Sequence, residues 1–206
     1  MEYCIIIRGP AAVGKTTIAK ELARTINADY FSFDEIMEIN RLDTIVGDGI
    51  PSDNFVKANK ILLPLLIGKK RIVLDGCFYR KKQINHLLKN LKTKVYIFTL
   101  DAEAIECSKR NKTRKDSLTD ADIKQVHDLV SRVKAGVIIN TTGKSVKQIV
   151  SEILNYIKWP TSFPTIAQVE PKIISNDGSL WLLLVCIYSS AMFIFVTLLL
   201  LFSFHL

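Results

Sequence analysis

The chain has 206 residues, of which 49% are hydrophobic and 23% are charged, so it can bury the core of a full domain and is not a disordered protein. Its 9 glycines and 6 prolines follow no period, which excludes a collagen-like or low-complexity chain. The 4 cysteines are far apart and form no CxxC pair, so the sequence predicts neither a disulfide framework nor a zinc site.

Charge is distributed unevenly along the chain. Residues 1–158 hold 27 of the 28 basic and 18 of the 20 acidic residues, which gives this part a net charge of +9. A basic surface suits ligands that carry phosphate groups. Beyond Asp177 there is no Asp, Glu, Lys or Arg, and residues 180–204 would span roughly 37 Å as a helix, enough to cross a bilayer. The sequence therefore predicts a globular domain over 1–158, a proline-containing linker over 159–179 and a transmembrane helix over 180–204.

Within residues 1–158, short apolar runs alternate with segments of helical periodicity. Strands are predicted at 3–8, 30–33, 71–75, 95–100 and 137–139, and helices at 16–26, 52–67, 80–91, 101–111, 119–134 and 144–157, with a further short helix after Asp34. The predicted first residues or N-caps of four of these helices are polar: Asp34, Ser52, Asp101 and Thr119. This alternation predicts an α/β fold, a three-layer sandwich around a five-stranded parallel sheet.

A glycine-rich loop follows the first predicted strand and opens the first predicted helix. Residues 9–16, GPAAVGKT, match GxxxxGK[ST] in full and in the context that the motif requires. Backbone N–H groups of such a loop surround phosphate oxygens, the lysine contacts the β- and γ-phosphates, and the Ser/Thr hydroxyl binds Mg²⁺. The nucleotide-binding residues are therefore predicted to be Gly9, Pro10, Ala11, Ala12, Val13, Gly14, Lys15, Thr16 and Thr17. A second GKS, at 143–145, has Ile138 where the first glycine is needed, and is interpreted as a helix start.

Two aspartates follow predicted strands. Asp75 ends the apolar run 72–74, where its carboxylate would face Thr16 and help to hold Mg²⁺; the alternative is a turn residue of the Asp-Gly pair. Asp34 follows the second strand at the same edge of the sheet, where ligands of open α/β sheets bind, and is a candidate general base. The alternative for Asp34 is a plain helix cap.

A basic segment runs from residue 107 to residue 115. Arg110 and Arg114 share one face if the helix continues, and arginines there are candidates for contact with the transferring phosphoryl group. The alternative is a solvated basic loop. The run 111–114, NKTR, has arginine where the guanine-reading NKxD motif needs aspartate, which disfavours a GTPase.

These residues together resemble the small P-loop kinases of the nucleoside-monophosphate kinase type. The sequence is most similar to the AAA_33-like branch, which includes polynucleotide kinase domains, zeta toxins and small-metabolite kinases. The segments that carry the resemblance cover about three-quarters of the chain and are GPAAVGKTT (9–17), SFDEI (32–36), IVLDGCFYR (72–80), CSKRNKTR (107–114) and IINTTGKS (138–145).

The resemblance implies ATP as phosphoryl donor, Mg²⁺ as cofactor and a lid that carries arginines. It implies that Asp34 is the base that activates an acceptor hydroxyl, that Arg110 or Arg114 closes over the phosphates, and that residues 138–145 lie near the adenine. It does not identify the acceptor.

The sequence predicts an ATP-dependent kinase that acts on a hydroxyl or phosphate of a small molecule or nucleotide, with Lys15, Asp34, Arg110 and Arg114 as catalytic residues and Thr16 and Asp75 as metal ligands. The acceptor is expected beside the loop 41–55 and Arg80. One alternative is a tethered ATP-binding or ATPase module with little transfer. Another is a nucleic-acid 5′-end kinase, although no basic strip interleaved with aromatic residues is present. The expected location is a membrane, with the tail as a single-pass anchor and the kinase domain on the cytoplasmic side.

Overall fold

The computed structural model describes residues 2–113 and 117–158 of the chain. Five strands are present within them: β1 (Tyr3–Arg8), β2 (Asp29–Ser32), β3 (Arg71–Gly76), β4 (Lys94–Asp101) and β5 (Val137–Asn140). The helices are α1 (Lys15–Ile26), α2 (Phe33–Ile39), α3 (Ser52–Leu65), α4 (Lys81–Asn90), α5 (Ala104–Asn111), α6 (Asp120–Ser131) and α7 (Val146–Lys158). All strand pairs are parallel in the order β2-β3-β1-β4-β5, which confirms the predicted five-stranded α/β fold.

The core lies on both faces of the sheet, as a central parallel strand requires. In β1, Ile5 and Ile7 belong to a cluster that contains buried residues of α1 and α7. Cys4 and Ile6 point to the opposite face and belong to a cluster with buried residues of α3 and α4. Alternation along one strand therefore packs both outer layers, and the three-layer architecture is confirmed.

The N-terminal caps of α2 and α6 are formed by side-chain hydroxyls. Ser32 caps α2 by accepting a hydrogen bond from the N–H of Glu35 at 3.3 Å, and Asp34 lies in the first turn. The prediction that Asp34 caps this helix is wrong, because the serine two residues earlier satisfies the free N–H, and the Asp34 carboxylate is left for other contacts. The prediction that Thr119 starts α6 is confirmed, since its hydroxyl and Asp122 form a capping box.

Two other predicted caps are wrong. Pro51 is the N-cap residue of α3, and Ser52 is the first helical residue. Asp101 is the last residue of β4, and α5 begins three residues later at Ala104. Ser52 lies one residue after the cap position of α3. Asp101 lies two residues before the cap position of α5, because strand β4 continues one residue further than the sequence predicts.

The predicted linker 159–179 and transmembrane helix 180–204 lie outside the described residues. Over residues 2–113 and 117–158, none of the helices has the length and apolar character that crossing a bilayer requires.

Candidate active site

The loop between β1 and α1 surrounds the side chain of Lys15. Only glycine fits at position 9, because a Cβ there would lie 2.6 Å from the carbonyl oxygen of Leu100. Gly14 has φ +100°, a backbone conformation that glycine adopts without strain. The buried Lys15 ammonium donates a hydrogen bond to the Pro10 carbonyl at 2.9 Å, so it lies inside the loop that the sequence predicts to bind phosphates.

Asp75 connects the first turn of α1 to the second strand. Its Oδ2 accepts a hydrogen bond from the Thr16 hydroxyl at 2.6 Å, and its Oδ1 accepts one from the Tyr30 hydroxyl at 2.9 Å. The carboxylate is 1% exposed. Three neighbouring elements thus converge at the carboxyl end of β3, and the predicted proximity of Thr16 and Asp75 agrees with the structure.

This pair fits magnesium. A hydroxyl and a carboxylate are hard oxygen donors of the kind that Mg²⁺ prefers, and it usually takes one or two such protein ligands together with phosphate oxygens and waters. In the described part of the chain, no cluster of three or more His, Cys, Asp or Glu residues is available to hold the ion alone. Thr16 and Asp75 would hold the ion, which when bound supplies positive charge to the terminal phosphates.

Asp34 lies next to this pair and is held by the turn that follows β3. Its Oδ1 accepts the backbone N–H of Cys77 at 3.2 Å, and its Oδ2 is 3.8 Å from the Cys77 thiol. Gly76 makes the approach possible, because a Cβ there would lie 3.0 Å from the Cβ of Phe33 and 3.2 Å from Oδ1 of Asp34. The carboxylate therefore has a fixed orientation at the edge of the sheet.

The electrostatics of Asp34 suit a proton acceptor. Although the residue has exposed surface, the protein groups around its carboxylate displace solvent, and this loss of solvation raises its pKa above the ordinary value for aspartate. The negative charge of Asp75 acts in the same direction, while Lys15 and the Cys77 N–H oppose it. A base with a raised pKa takes up a proton more readily.

The pKa of Lys15 depends on the same carboxylates. Burial alone lowers the pKa of the Lys15 ammonium, but the acidic groups around it, Cys77, Asp34 and Asp75, outweigh burial and the pKa is raised overall. Because burial raises the pKa of the Cys77 thiol to about 12, the thiol is neutral near pH 7 and the two carboxylates carry the effect there. Lys15 therefore stays charged in the site.

Arg110, the first arginine of the basic segment, contacts two loops of the domain. Arg110 donates to the Val13 carbonyl at 3.2 Å and to the Thr141 hydroxyl at 3.1 Å, and pairs with Glu106 at 3.1 Å. Its guanidinium thus joins the phosphate-binding loop to the turn after β5. Helix α5 ends at Asn111, so the condition for a shared face with Arg114, that the helix continues, is not met.

Arg114 itself lies outside the described residues. A role for either arginine at the transferring phosphoryl group stays a prediction.

The predicted acceptor loop is closed onto the turn after β3. Arg80 donates two hydrogen bonds to the Asp48 carboxylate, at 2.8 and 3.3 Å, and its Nε donates to the Ile50 carbonyl at 3.0 Å. The Ile50 N–H donates to the Tyr79 hydroxyl at 2.9 Å. The sequence indicates Arg80 as an acceptor contact, and the structure shows that its guanidinium holds the loop.

The same loop also contacts α6. Gln125 donates to the Asp48 carbonyl at 3.2 Å, and the Arg132 guanidinium is 3.9 Å from the Asp48 carboxylate. The loop therefore forms a wall between the turn after β3 and α6.

Three residues of the site were not predicted from the sequence: Tyr30, Cys77 and Arg8. Tyr30 donates a hydrogen bond to Asp75, and Cys77 contacts Asp34 through its N–H and its thiol. Arg8 is fully buried and contacts the turn after β3, β4 and the segment at the end of α6. For Arg8, the signal in the sequence is an arginine at the end of an apolar strand. The same pattern is also common where strand ends are solvated, so it does not indicate burial.

Residues 4–135 match the AAA_33 family, described as an AAA domain. The chain is 26% identical over 166 residues to shikimate kinase 1 of Sodalis glossinidius, a match that covers 75% of this chain and 95% of that protein. It is 25% identical, with the same coverage, to shikimate kinase 1 of Serratia proteamaculans.

Solved structures share the fold. A sugar kinase from Janibacter sp. superimposes with a TM-score of 0.63 and 16% identity, over 77% of this chain and 95% of that chain. A gluconokinase from Sinorhizobium meliloti gives 0.58 and 8% identity, over 77% and 97%. Shikimate kinase from Acinetobacter baumannii, in complex with shikimate, gives 0.56 and 18% identity, over 79% and 96%.

Proposed function

The chain belongs to the AAA_33 family of P-loop proteins and is an ATP-dependent phosphotransferase, and from this premise we propose that it transfers the γ-phosphoryl group of ATP to a hydroxyl of a small molecule bound beside Asp34. The observation that carries the proposal is the placement of Asp34. Its carboxylate lies on the same sheet edge as the Thr16–Asp75 pair and interacts electrostatically with Lys15. A base and a phosphate-binding lysine are thus held together, as transfer requires and simple nucleotide binding does not.

The proposed reaction is an in-line displacement. The oxygen of the acceptor hydroxyl bonds to the γ-phosphorus, the bond from that phosphorus to the β–γ bridging oxygen breaks, and ADP leaves with the electron pair. Asp34 takes the proton of the hydroxyl, a role that its raised pKa supports. The Lys15 ammonium stabilises negative charge on the γ-phosphoryl oxygens as the bond to ADP breaks. The orientation of Asp34 by Cys77 removes rotational freedom from the proton acceptor.

The relatives support the chemical class of the acceptor. The relatives named above include kinases of shikimate, a sugar and gluconate, all of which are small polyhydroxylated compounds. The wall formed by the loop 41–51, Tyr79 and Arg80 is joined to the same turn after β3 whose Cys77 N–H holds Asp34. A compound of this size would place one hydroxyl at Asp34 and its other hydroxyls toward that wall.

An acceptor screen tests the proposal. The full chain in mild detergent is incubated with γ-labelled ATP and Mg²⁺ against sugars, sugar acids, cyclitols, nucleosides and 5′-hydroxyl oligonucleotides, with the Lys15→Ala variant as control. We expect label in a small hydroxylated compound and none with the variant. Consumption of ATP without any labelled product would favour the tethered ATPase module, and label in oligonucleotides alone would favour the nucleic-acid end kinase.

We also propose that residues 180–204 anchor the protein in a membrane, with the kinase domain on the cytoplasmic side. The support is the sequence itself, an uncharged apolar run of sufficient length preceded by three prolines. Fractionation of cells that produce the full chain, compared with a chain that ends at residue 158, tests this. Recovery of the full chain in the soluble fraction would contradict it.

A further inference from the structure

Arg8 is a buried cation at the end of the central strand. It is the last residue of β1, directly precedes Gly9 and is 1% exposed. Burial lowers the pKa of its guanidinium to about 10, so it remains charged near neutral pH. Since burying a charge costs more than burying an apolar side chain of the same volume, a core of this kind gains nothing from arginine as a mere filler. Its contacts point to a more specific role.

One contact fixes the turn that orients Asp34. Nε of Arg8 donates to the Phe78 carbonyl at 3.1 Å. Phe78 has φ +43°, in the left-handed region that a bulky residue rarely adopts, and its ring packs against Phe33 at 4.9 Å. Its neighbour Cys77 donates the N–H that holds the Asp34 carboxylate. Arg8 therefore stabilises a strained backbone conformation one residue away from the group that orients the proposed base.

Other contacts of Arg8 fix the C-terminal end of helix α6. Nη2 of Arg8 donates to the Val130 carbonyl at 3.1 Å, and Nη1 to the Val133 carbonyl at 2.9 Å and to the Thr99 hydroxyl at 3.0 Å. The two carbonyls lie at and just beyond the C-terminal end of α6, where helix carbonyls lack helical partners and the helix dipole is negative. The same helix contacts the acceptor loop through Gln125.

We infer that Arg8 is a positioning residue for phosphoryl transfer. It holds Asp34 and α6 in fixed positions relative to the phosphate-binding loop. The inference rests on the proposed function. The planar guanidinium suits this role because its donors point in different directions within one rigid group, whereas a lysine ammonium donates from a single atom. The predicted consequence is a loss in the transfer step and little loss in ATP binding.

The test compares Arg8→Lys and Arg8→Met in the full chain with Arg71→Lys as the matched control. Arg71 begins the neighbouring strand β3, opposite Tyr3 and far from the catalytic edge. With the best acceptor found for the wild type, we expect kcat to fall about tenfold or more in Arg8→Lys and further in Arg8→Met, while KM for ATP stays within about twofold. We expect Arg71→Lys to match the wild type.

Two further readouts separate positioning from general stability. Thermal unfolding gives the folded fraction of each variant, so that kcat is expressed per folded enzyme. The rate of maleimide modification at Cys77, located by peptide mass spectrometry, reports on the turn itself, with the buried Cys4 and Cys107 as internal references. We expect faster modification of Cys77 in both Arg8 variants, because the turn loses its anchor.

Unchanged kcat per folded enzyme, or failure of both Arg8 variants to fold, would overturn the inference and leave Arg8 as a stability residue. Absence of transfer by the wild type would instead refute the proposed function. In that case the modification rate at Cys77 still decides whether Arg8 fixes the turn.

Discussion

The phosphate-binding side of the site is formed by one continuous stretch, residues 9–17, whereas the acceptor side brings together groups that are far apart in the chain. Gln125 and Asp48, for example, are 77 positions apart. A local loop is determined by its own glycines and by the helix that follows it. The acceptor side depends on long-range contacts, so substitutions there should alter catalysis and acceptor binding while leaving nucleotide binding intact.

The largest expected effect is that of Lys15→Ala. The ammonium is the full positive charge within the loop, and loss of a preorganised charge of this kind costs about 10³-fold in kcat. Labelled-ATP transfer assays measure this. The exposed Lys20 on the same helix provides the control, since Lys20→Ala should keep its activity.

The acceptor side is tested by Asp34→Asn. The amide cannot take the proton, so we expect a loss of about 10²- to 10³-fold in transfer while ATP binding is retained. Glu35→Gln removes a carboxylate from the next residue and should have no such effect. Undiminished transfer by Asp34→Asn would remove the assigned role.

The pH dependence sharpens this prediction. Burial and Asp75 raise the pKa of Asp34, and only the unprotonated form is the base. We therefore expect kcat/KM to fall as pH decreases, with a midpoint above the value of about 3.9 for a solvated aspartate. Stability has the opposite pH dependence, because a folded-state pKa above the unfolded value makes the contribution of Asp34 to stability decline as pH rises through that window. A profile whose midpoint lies at or below the solvated value would contradict the account.

A smaller effect is expected for Asp48→Asn. This change removes the charge that pairs with Arg80 and loosens the loop 41–51. Because the pair is partly exposed, its loss should cost about 1 kcal/mol or less, seen as an increase of a few-fold in KM for the acceptor. Asp43→Asn in the same loop is the control. An equal change in KM for ATP would show that the two sides are not separable.

The smallest effect is predicted for Lys144→Ala. This lysine belongs to the second GKS, yet it pairs with Glu152 at 2.6 Å on α7, and Ser145 hydrogen-bonds with Gln148 at the start of that helix. We expect unchanged ATP affinity and a stability change below about 1 kcal/mol, measured by thermal unfolding. Weaker ATP binding would show that the Lys144 side chain contacts the nucleotide.

The strand, loop and helix around residues 9–17 could be predicted from the sequence because their signals are local. The strand, the glycines and the helix appear in order, and Thr16 meets Asp75 since parallel strands end at one edge. The acceptor side was predicted only as far as Asp34. The contact with Cys77 depends on a turn after β3, and the hydrogen bonds of Arg8 depend on Phe78 and α6, none of which leaves a pattern in the neighbouring sequence.

The most direct test of the central claim is calorimetric titration of magnesium-bound ATP into the folded full chain, in parallel with the Lys15→Ala and Asp34→Asn variants. We expect one binding site in the wild type, its loss in Lys15→Ala and its retention in Asp34→Asn. Absence of binding heat with the folded wild type, or equal loss in both variants, would contradict it.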